Sequence, residues 1–324
     1  VSFDQAIAIN PENVDAHFER GEALVRREQF EEAIHAFDRV LELDASRILA
    51  HYYRGFALDQ NGNHKDAVAA FDACLAGMPN HAPAHYQRGH ALYATGLFRD
   101  AIEAFDHAIE YDPFHAPAFY EKAVTLHELG RNEEAAIAAA KALELRPEFT
   151  DAWIIRATAL CDLERYEEAA ASLEKALELD PANAKTYYDR GLCLIKLGRH
   201  LEAVETFDRV LELIPNFSPA FFHKGIALAE LGMFDEAVFA FTITLEIVPD
   251  NAEAHYHKGL ALARLEDYDG AITAFDTAFV LDATKADPLY QKGLCLAALG
   301  QQEKAEAAFS QALEVDPGNR DALY

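Results

Sequence analysis

The chain has 324 residues, 51% of them apolar, and a formal net charge of −27. So strong an acid excess excludes the classes that neutralise nucleic-acid phosphates or sit on anionic membranes, both of which need a basic surface. No apolar run approaches the length of a membrane span, so the charge reads as what keeps an apolar-cored chain in solution.

Taken in chain order, the elements recur every 34 residues without insertion or deletion. Residues 1–13 read as the second half of a unit, with Phe3, Ala6 and Pro11 on pattern. Full units follow at 14–47, 48–81, 82–115, 116–149, 150–183, 184–217, 218–251, 252–285 and 286–319, and residues 320–324 begin another. A period of this size signals one continuous solenoid, in which each unit stacks only on its neighbours. The unit beginning at Ala252 shows the logic: Tyr256, Leu260 and Ala263 carry helical spacing. A break follows at Glu266–Asp267, where six other units place Gly62, Gly96, Gly130, Gly198, Gly232 or Gly300. Tyr268, Ala271, Phe275, Ala278 and Phe279 then form a second apolar stripe. Acid pairs such as Glu31–Glu32 and Glu133–Glu134 fill the first turn of the second helix, opposing its dipole. Prolines such as Pro113 and Pro249 stop it. First helices are expected near Ala16–Arg26, Ala50–Gln60 and onward in steps of 34.

These columns resemble the tetratricopeptide repeat family over the whole chain. The resemblance rests on small–aliphatic pairs such as Gly21 with Leu24 and Gly89 with Leu92, on an aromatic before the second helix (Phe30, Phe98, Tyr166, Phe234, Tyr268), and on Ala101, Phe105, Ala108 and Pro113. It implies an all-α, right-handed superhelix of antiparallel helix pairs, with first helices lining a concave groove. The fourth unit departs, reading Ala138-Ala139-Ala140 where others read Ala-Phe-Asp. Losing that aromatic is expected to let helices pack closer there.

Chemistry-bearing motifs are absent. There is no phosphate-cradling glycine loop, no His-Glu-x-x-His and no nucleophile turn, so no enzyme activity and no cofactor is expected. Cys74, Cys161, Cys193 and Cys295 share no short spacing, which gives neither a disulfide framework nor a thiol metal site. His17, His51, His85 and His255 occupy a column shared with Phe119, Trp153 and Tyr187, a packing slot more than a metal site. Asn216 opens a glycosylation acceptor weakened by Pro219.

Two further columns carry information. Basic residues recur once per unit from Arg20 and Arg54 to Lys292, and seven of them follow an acid by 16 positions, as in Asp38 with Arg54 and Glu174 with Arg190. This spacing predicts a ladder of ion pairs between each second helix and the next first helix. An aromatic column runs through Phe18, Tyr52, Tyr86, Tyr120, Tyr188, Phe222, Tyr256, Tyr290 and Tyr324, either lining the groove with wet hydroxyls or packing into the core. One and two turns on, the early units carry Glu22, Asp59, His90, Tyr93 and His127. The late units carry Leu192, Ile195, Ile226, Leu260 and Leu294, an apolar strip of the kind that marks an interaction site. The basic residues with which some family members clamp a terminal carboxylate are missing.

No secretory signal is visible, Val1 is not an initiator methionine, and neither end shows a polar cap, so the chain reads either as a slice of a longer array or as one packed at both ends. The leading expectation is a scaffold that grips a protein or peptide in the groove, without nucleic acid or membrane insertion. The rival is a structural subunit polymerising end to end through Phe3, Ile7, Phe309, Leu313, Leu323 and Tyr324. The first reading implies a cytoplasmic protein and the second an extracellular one. A regulatory segment of a larger enzyme is a third reading.

Overall fold

Glycine, proline and acid punctuation produces helices where the spacing places them. The computed structural model describes residues 2–317, which form nineteen α-helices without a strand. The expected residues Leu323 and Tyr324 lie outside the described residues. Among the described residues no helix is long and apolar enough to cross a membrane.

The helices gather into two compact units, residues 1–165 and 166–324. In the first unit the first helices are α2 (Val14–Val25), α4 (Ile48–Gln60), α6 (Ala82–Ala94), α8 (Ala116–Glu128) and α10 (Thr150–Asp162). The second helices are α1 (Ser2–Ile9), α3 (Phe30–Leu43), α5 (His64–Gly77), α7 (Phe98–Tyr111) and α9 (Asn132–Leu145). In the second unit α12 (Ala184–Lys196), α14 (Ser218–Glu230), α16 (Ala252–Arg264) and α18 (Asp287–Ala298) are first helices. They alternate with α11 (Tyr166–Leu179), α13 (His200–Leu213), α15 (Phe234–Ile247), α17 (Tyr268–Leu281) and α19 (Gln302–Val315). Within each unit a first helix packs on its own second helix, which packs on the next first helix. Successive first helices also touch, whereas successive second helices do not approach to the same degree. The first helices therefore form the inner side of each stack.

The recurring glycine has a specific reason. A Cβ on Gly55, Gly89, Gly225 or Gly259 would fall 2.6–2.8 Å from the ring of Phe71, Phe105, Phe241 or Phe275, each fully buried. Where the glycine becomes Ala123 the phenylalanine becomes Ala139, and where it becomes Ala157 the partner is Leu173. Methyl and ring are thus exchanged together, so the fourth unit has not simply lost an aromatic. At the interhelical turn Gly62 through Gly300 hold φ of +70° to +81°, and Glu28, Glu164 and Glu266 adopt the same left-handed conformation at φ 58–63°.

The histidine column also has a structural task. Nε2 of His17, His85 and His255 lies 3.0, 2.8 and 3.1 Å from the carbonyl of Pro11, Pro79 and Pro249, and Trp153 Nε1 donates to Pro147 at 2.8 Å. Each ring ties the start of a first helix to the proline just after the preceding second helix. His81 and His115 serve as caps, Nδ1 accepting from the backbone N–H three residues on at 3.1 Å.

The ion-pair ladder forms at six of its seven expected rungs. Arg20 meets Asp4, Arg54 meets Asp38, Arg88 meets Asp72, Lys122 meets Asp106, Lys224 meets Asp208 and Lys292 meets Asp276, at 2.5–3.0 Å. The seventh is different: Arg190 turns from Glu174 to its own second helix and donates to Thr206 Oγ1 at 3.1 Å. Thr206 stands where Ala36, Ala70, Ala240 and Ala274 stand in other units, so here the slot offers a hydroxyl acceptor that those alanines lack. A second ladder joins residues 32 apart: Arg47 with Asp15, Arg165 with Glu133 and Arg199 with Glu167.

Candidate functional site

The aromatic column is half core and half surface. Tyr52, Tyr86, Tyr188, Tyr256 and Tyr290 each set a ring 5.8–6.1 Å from the buried phenylalanine or its counterpart on their own second helix, Phe71, Phe105, Phe207, Phe275 and Phe309. Tyr120, whose unit has Ala139 in that place, packs on Phe149 at 4.8 Å instead. All six tyrosines remain partly exposed. Burial opposes ionisation of Tyr52, Tyr188 and Tyr256, and it pushes Tyr86 and Tyr120 up to about 12, helped in each by Glu121 nearby.

The column next to the aromatics was missed because it has no common residue type. Tyr53 stacks 5.7 Å from Phe37, His223 lies 6.2 Å from Phe207, and His257 stacks 5.9 Å from Phe241. These residues wedge each first helix against the preceding unit's core phenylalanine. His223 Nδ1 is buried without a hydrogen-bond partner, and burial, with His257 close by, pushes its pKa down to about 4. The same column holds Glu121 in α8 and Asp189 in α12, both half-buried and both raised chiefly by burial.

The inner side of the first unit is polar. Asp59, expected on the groove, has no exposed side-chain surface and accepts from His64 Nδ1 at 2.8 Å and His90 Nδ1 at 2.9 Å. Burial alone would raise its carboxyl, but the bonds from His90 and His64 outweigh that and leave it below the ordinary range. His90 is correspondingly raised by that bond. His64 stands in the column of Phe30 and Phe98, and Asp59 in that of Val25 and Ile195. A matched pair of departures from apolar columns was therefore available as a signal. His127 joins α8 to α10 through Asp162 at 2.9 Å.

The inner side of the second unit is apolar. Leu192 and Ile195 pack against Leu194 and Phe207, Ile226 against Leu228 and Phe241, and Leu260 against Phe275. The strip is thus half-buried, and only Leu294, at 42% exposure, stands out from it. Beside Tyr256 and His257 a cavity of about 200 Å³ opens, with Glu253, Asp282, Lys285 and Asp287 on its walls. Away from both columns, Val204, Phe221, Met233 and Phe239 line a cleft of about 470 Å³, where Phe239 is 67% exposed. Of the residues named for the chain ends, Phe3 and Ile7 are half-buried in α1, while Phe309 and Leu313 pack inward against Leu296 and Leu289. Cys74, Cys193 and Cys295 are buried, and burial raises the thiols of Cys74 and Cys295.

Comparison with known proteins agrees with this geometry. Residues 2–48, 18–82, 86–148, 156–216 and 222–288 match one family profile and residues 286–319 another, both described as tetratricopeptide repeat. Among solved structures, YrrB, described as a TPR protein with an unusual peptide-binding site, is 32% identical, with a TM-score of 0.51 over 56% of this chain and 94% of its own. MamA is 25% identical, with a TM-score of 0.50 over 53% of this chain and 94% of its own. The C-terminal part of a TPR repeat-containing protein from Cytophaga hutchinsonii shares the fold at 17% identity, with a TM-score of 0.57 over 84% of this chain and 98% of its own. No curated protein matches the sequence.

Proposed function

This chain belongs to the tetratricopeptide repeat family, and we propose that it is a non-catalytic scaffold that holds an extended segment of another protein along its first helices. The observation that carries this reading is the column of half-buried tyrosines from Tyr52 to Tyr290. Each ring is already fixed against its neighbours, so contact with a partner costs little further side-chain entropy, and tyrosine anchors of this kind dominate many interfaces. The linings differ in kind: His90, Tyr93 and Glu121 give the first unit a polar inner side, and Leu192, Ile226, Leu260 and Leu294 give the second an apolar one. The peptide-binding site in the description of YrrB accords with a groove of this use.

The test is selection of a random dodecapeptide phage library on the full chain, followed by binding measurements on synthetic copies. Tyr188→Ala, Tyr256→Ala or Leu294→Asp should weaken peptides that lie on the second unit, and Phe239→Ser should not. Loss of binding through Phe239→Ser alone would move the site to the cleft between α13, α14 and α15. Light scattering at rising concentration separates partner binding from end-to-end self-association.

A further inference from the structure

We propose that the inner side of the first unit, between α6 and α8, receives the cationic side chain of a lysine or arginine in the bound peptide, with Tyr86, Tyr93 and Tyr120 as its walls and Glu121 as its counter-charge. This assignment rests on the scaffold reading and names the partner's chemistry at one part of that surface.

Three observations converge. The first is register. Tyr86, His90 and Tyr93 follow one another at steps of four and three along α6, which sets them on one face. On that face His90 reaches back to α4, its Nδ1 donating to Asp59 at 2.9 Å, while Glu121 of α8 acts on it from the other side. Tyr120 repeats the position of Tyr86 on α8, and Glu121 follows it. All of these side chains are partly exposed, so a ligand can reach them.

The second observation is electrostatic. Glu121 acts on His90 and on all three tyrosines, as it must if they surround it. Burial raises its carboxyl and His90 offsets this only in part, so the free protein carries a carboxylate short of a counter-charge. A cation arriving there gains a desolvated partner, and the tyrosine faces attract it through their ring quadrupoles.

The third observation is that the chain's own cations are engaged elsewhere. Arg88 of α6 is bound to Asp72 and Lys122 of α8 to Asp106, at 2.6 and 2.5 Å, both on second helices. Arg131, just after α8, is paired with Glu134 at 2.7 Å. The other charged or titratable groups near this face are Asp59 with His64, His127 with Asp162, Glu128, Asp151 and His115, whose ring lies 4.7 Å from Tyr86. Arg146 is held 3.9 Å over the Phe149 ring that packs on Tyr120. Acids outnumber cations there, so charge complementarity selects a basic occupant over an acidic one.

The dodecapeptide selection supplies the test, run on the full chain. Synthetic copies of the selected peptides are measured by fluorescence anisotropy against the unaltered chain, Glu121→Gln, Tyr93→Ala and Leu294→Asp, with helix content checked by circular dichroism. The proposal expects lysine or arginine to be enriched at one peptide position. It also expects Glu121→Gln, which keeps shape and removes charge, to weaken binding about tenfold, and replacement of that lysine by norleucine to do the same. Peptides lost through Leu294→Asp but untouched by Glu121→Gln would overturn this assignment and leave the scaffold reading standing. So would peptides that bind the first helices without a basic residue. Peptides indifferent to every first-helix substitution, or no retained peptide at all, would overturn both.

Discussion

The pairing of Gly225 with Phe241 makes a quantitative prediction about how these units are packed. A Cβ on Gly225 would lie 2.7 Å from the Phe241 ring, too close without a shift of the ring or of the helix behind it. Gly225→Ala alone gains about 1 kcal/mol of helix propensity and loses about 1–3 kcal/mol to overpacking, so it should destabilise by about 0–2 kcal/mol. Phe241→Leu alone leaves a partial cavity in a fully buried site and should cost about 1–2 kcal/mol, less than the ~3–5 kcal/mol of Phe→Ala. Together the new methyl occupies space the ring has left, as Ala157 does opposite Leu173. The double variant should therefore fall within about 1 kcal/mol of the parent, a favourable coupling of about 1–3 kcal/mol. Urea unfolding measures the sum, and hydrogen exchange at the amides of α14 and α15 localises it, since stacked repeats open unit by unit. Additivity within about 0.5 kcal/mol would refute the argument that the glycine column exists to seat the ring.

Three further outcomes follow from the same geometry. His223, pushed down to about 4 from its ordinary 6.5, binds a proton more readily once unfolded; the stability this contributes is complete above pH 6.5 and is lost as pH falls toward 4. At about 1.4 kcal/mol per pKa unit the loss approaches ~3 kcal/mol, and His223→Phe should remove that part of the pH dependence of the melting temperature. Glu266→Gly relieves a left-handed glutamate at φ 63° and should raise stability by about 0.5–1 kcal/mol in denaturant titrations, whereas an unchanged or lowered midpoint would show the turn to be unstrained. Leu192→Asp should cost about 2 kcal/mol or more because Leu192 packs on the Phe207 cluster, while Leu294→Asp, at an exposed position, should stay within about 0.5 kcal/mol.

What was legible in the sequence divides along a physical line. Residues that contact the same neighbour in every unit are held to one type, so the glycine, the phenylalanine, the proline and the aspartate–arginine rung appear as columns. Even an exception has a local cause: Arg190 leaves its rung for the hydroxyl that Thr206 puts in a mostly alanine column. The column beside the aromatics escaped notice because it obeys a different constraint. Tyr53, His223 and His257 all fill the same wedge against the preceding phenylalanine, a task that needs a flat ring and no particular polarity, while Glu121 and Asp189 show that the wedge can be given up.

That freedom is where chemical identity enters the fold. Asp59 could become acidic only because His64 and His90 became its donors, so a polar residue on the inner side requires further changes on two neighbouring helices. Glu121 has only the partial influence of His90 and no lysine or arginine partner among the described residues, which sets it apart from Asp59 although both are carboxylates on first helices of the same compact unit. A buried acid that the chain satisfies itself is part of the architecture. One that it leaves short of charge is better explained by something that arrives.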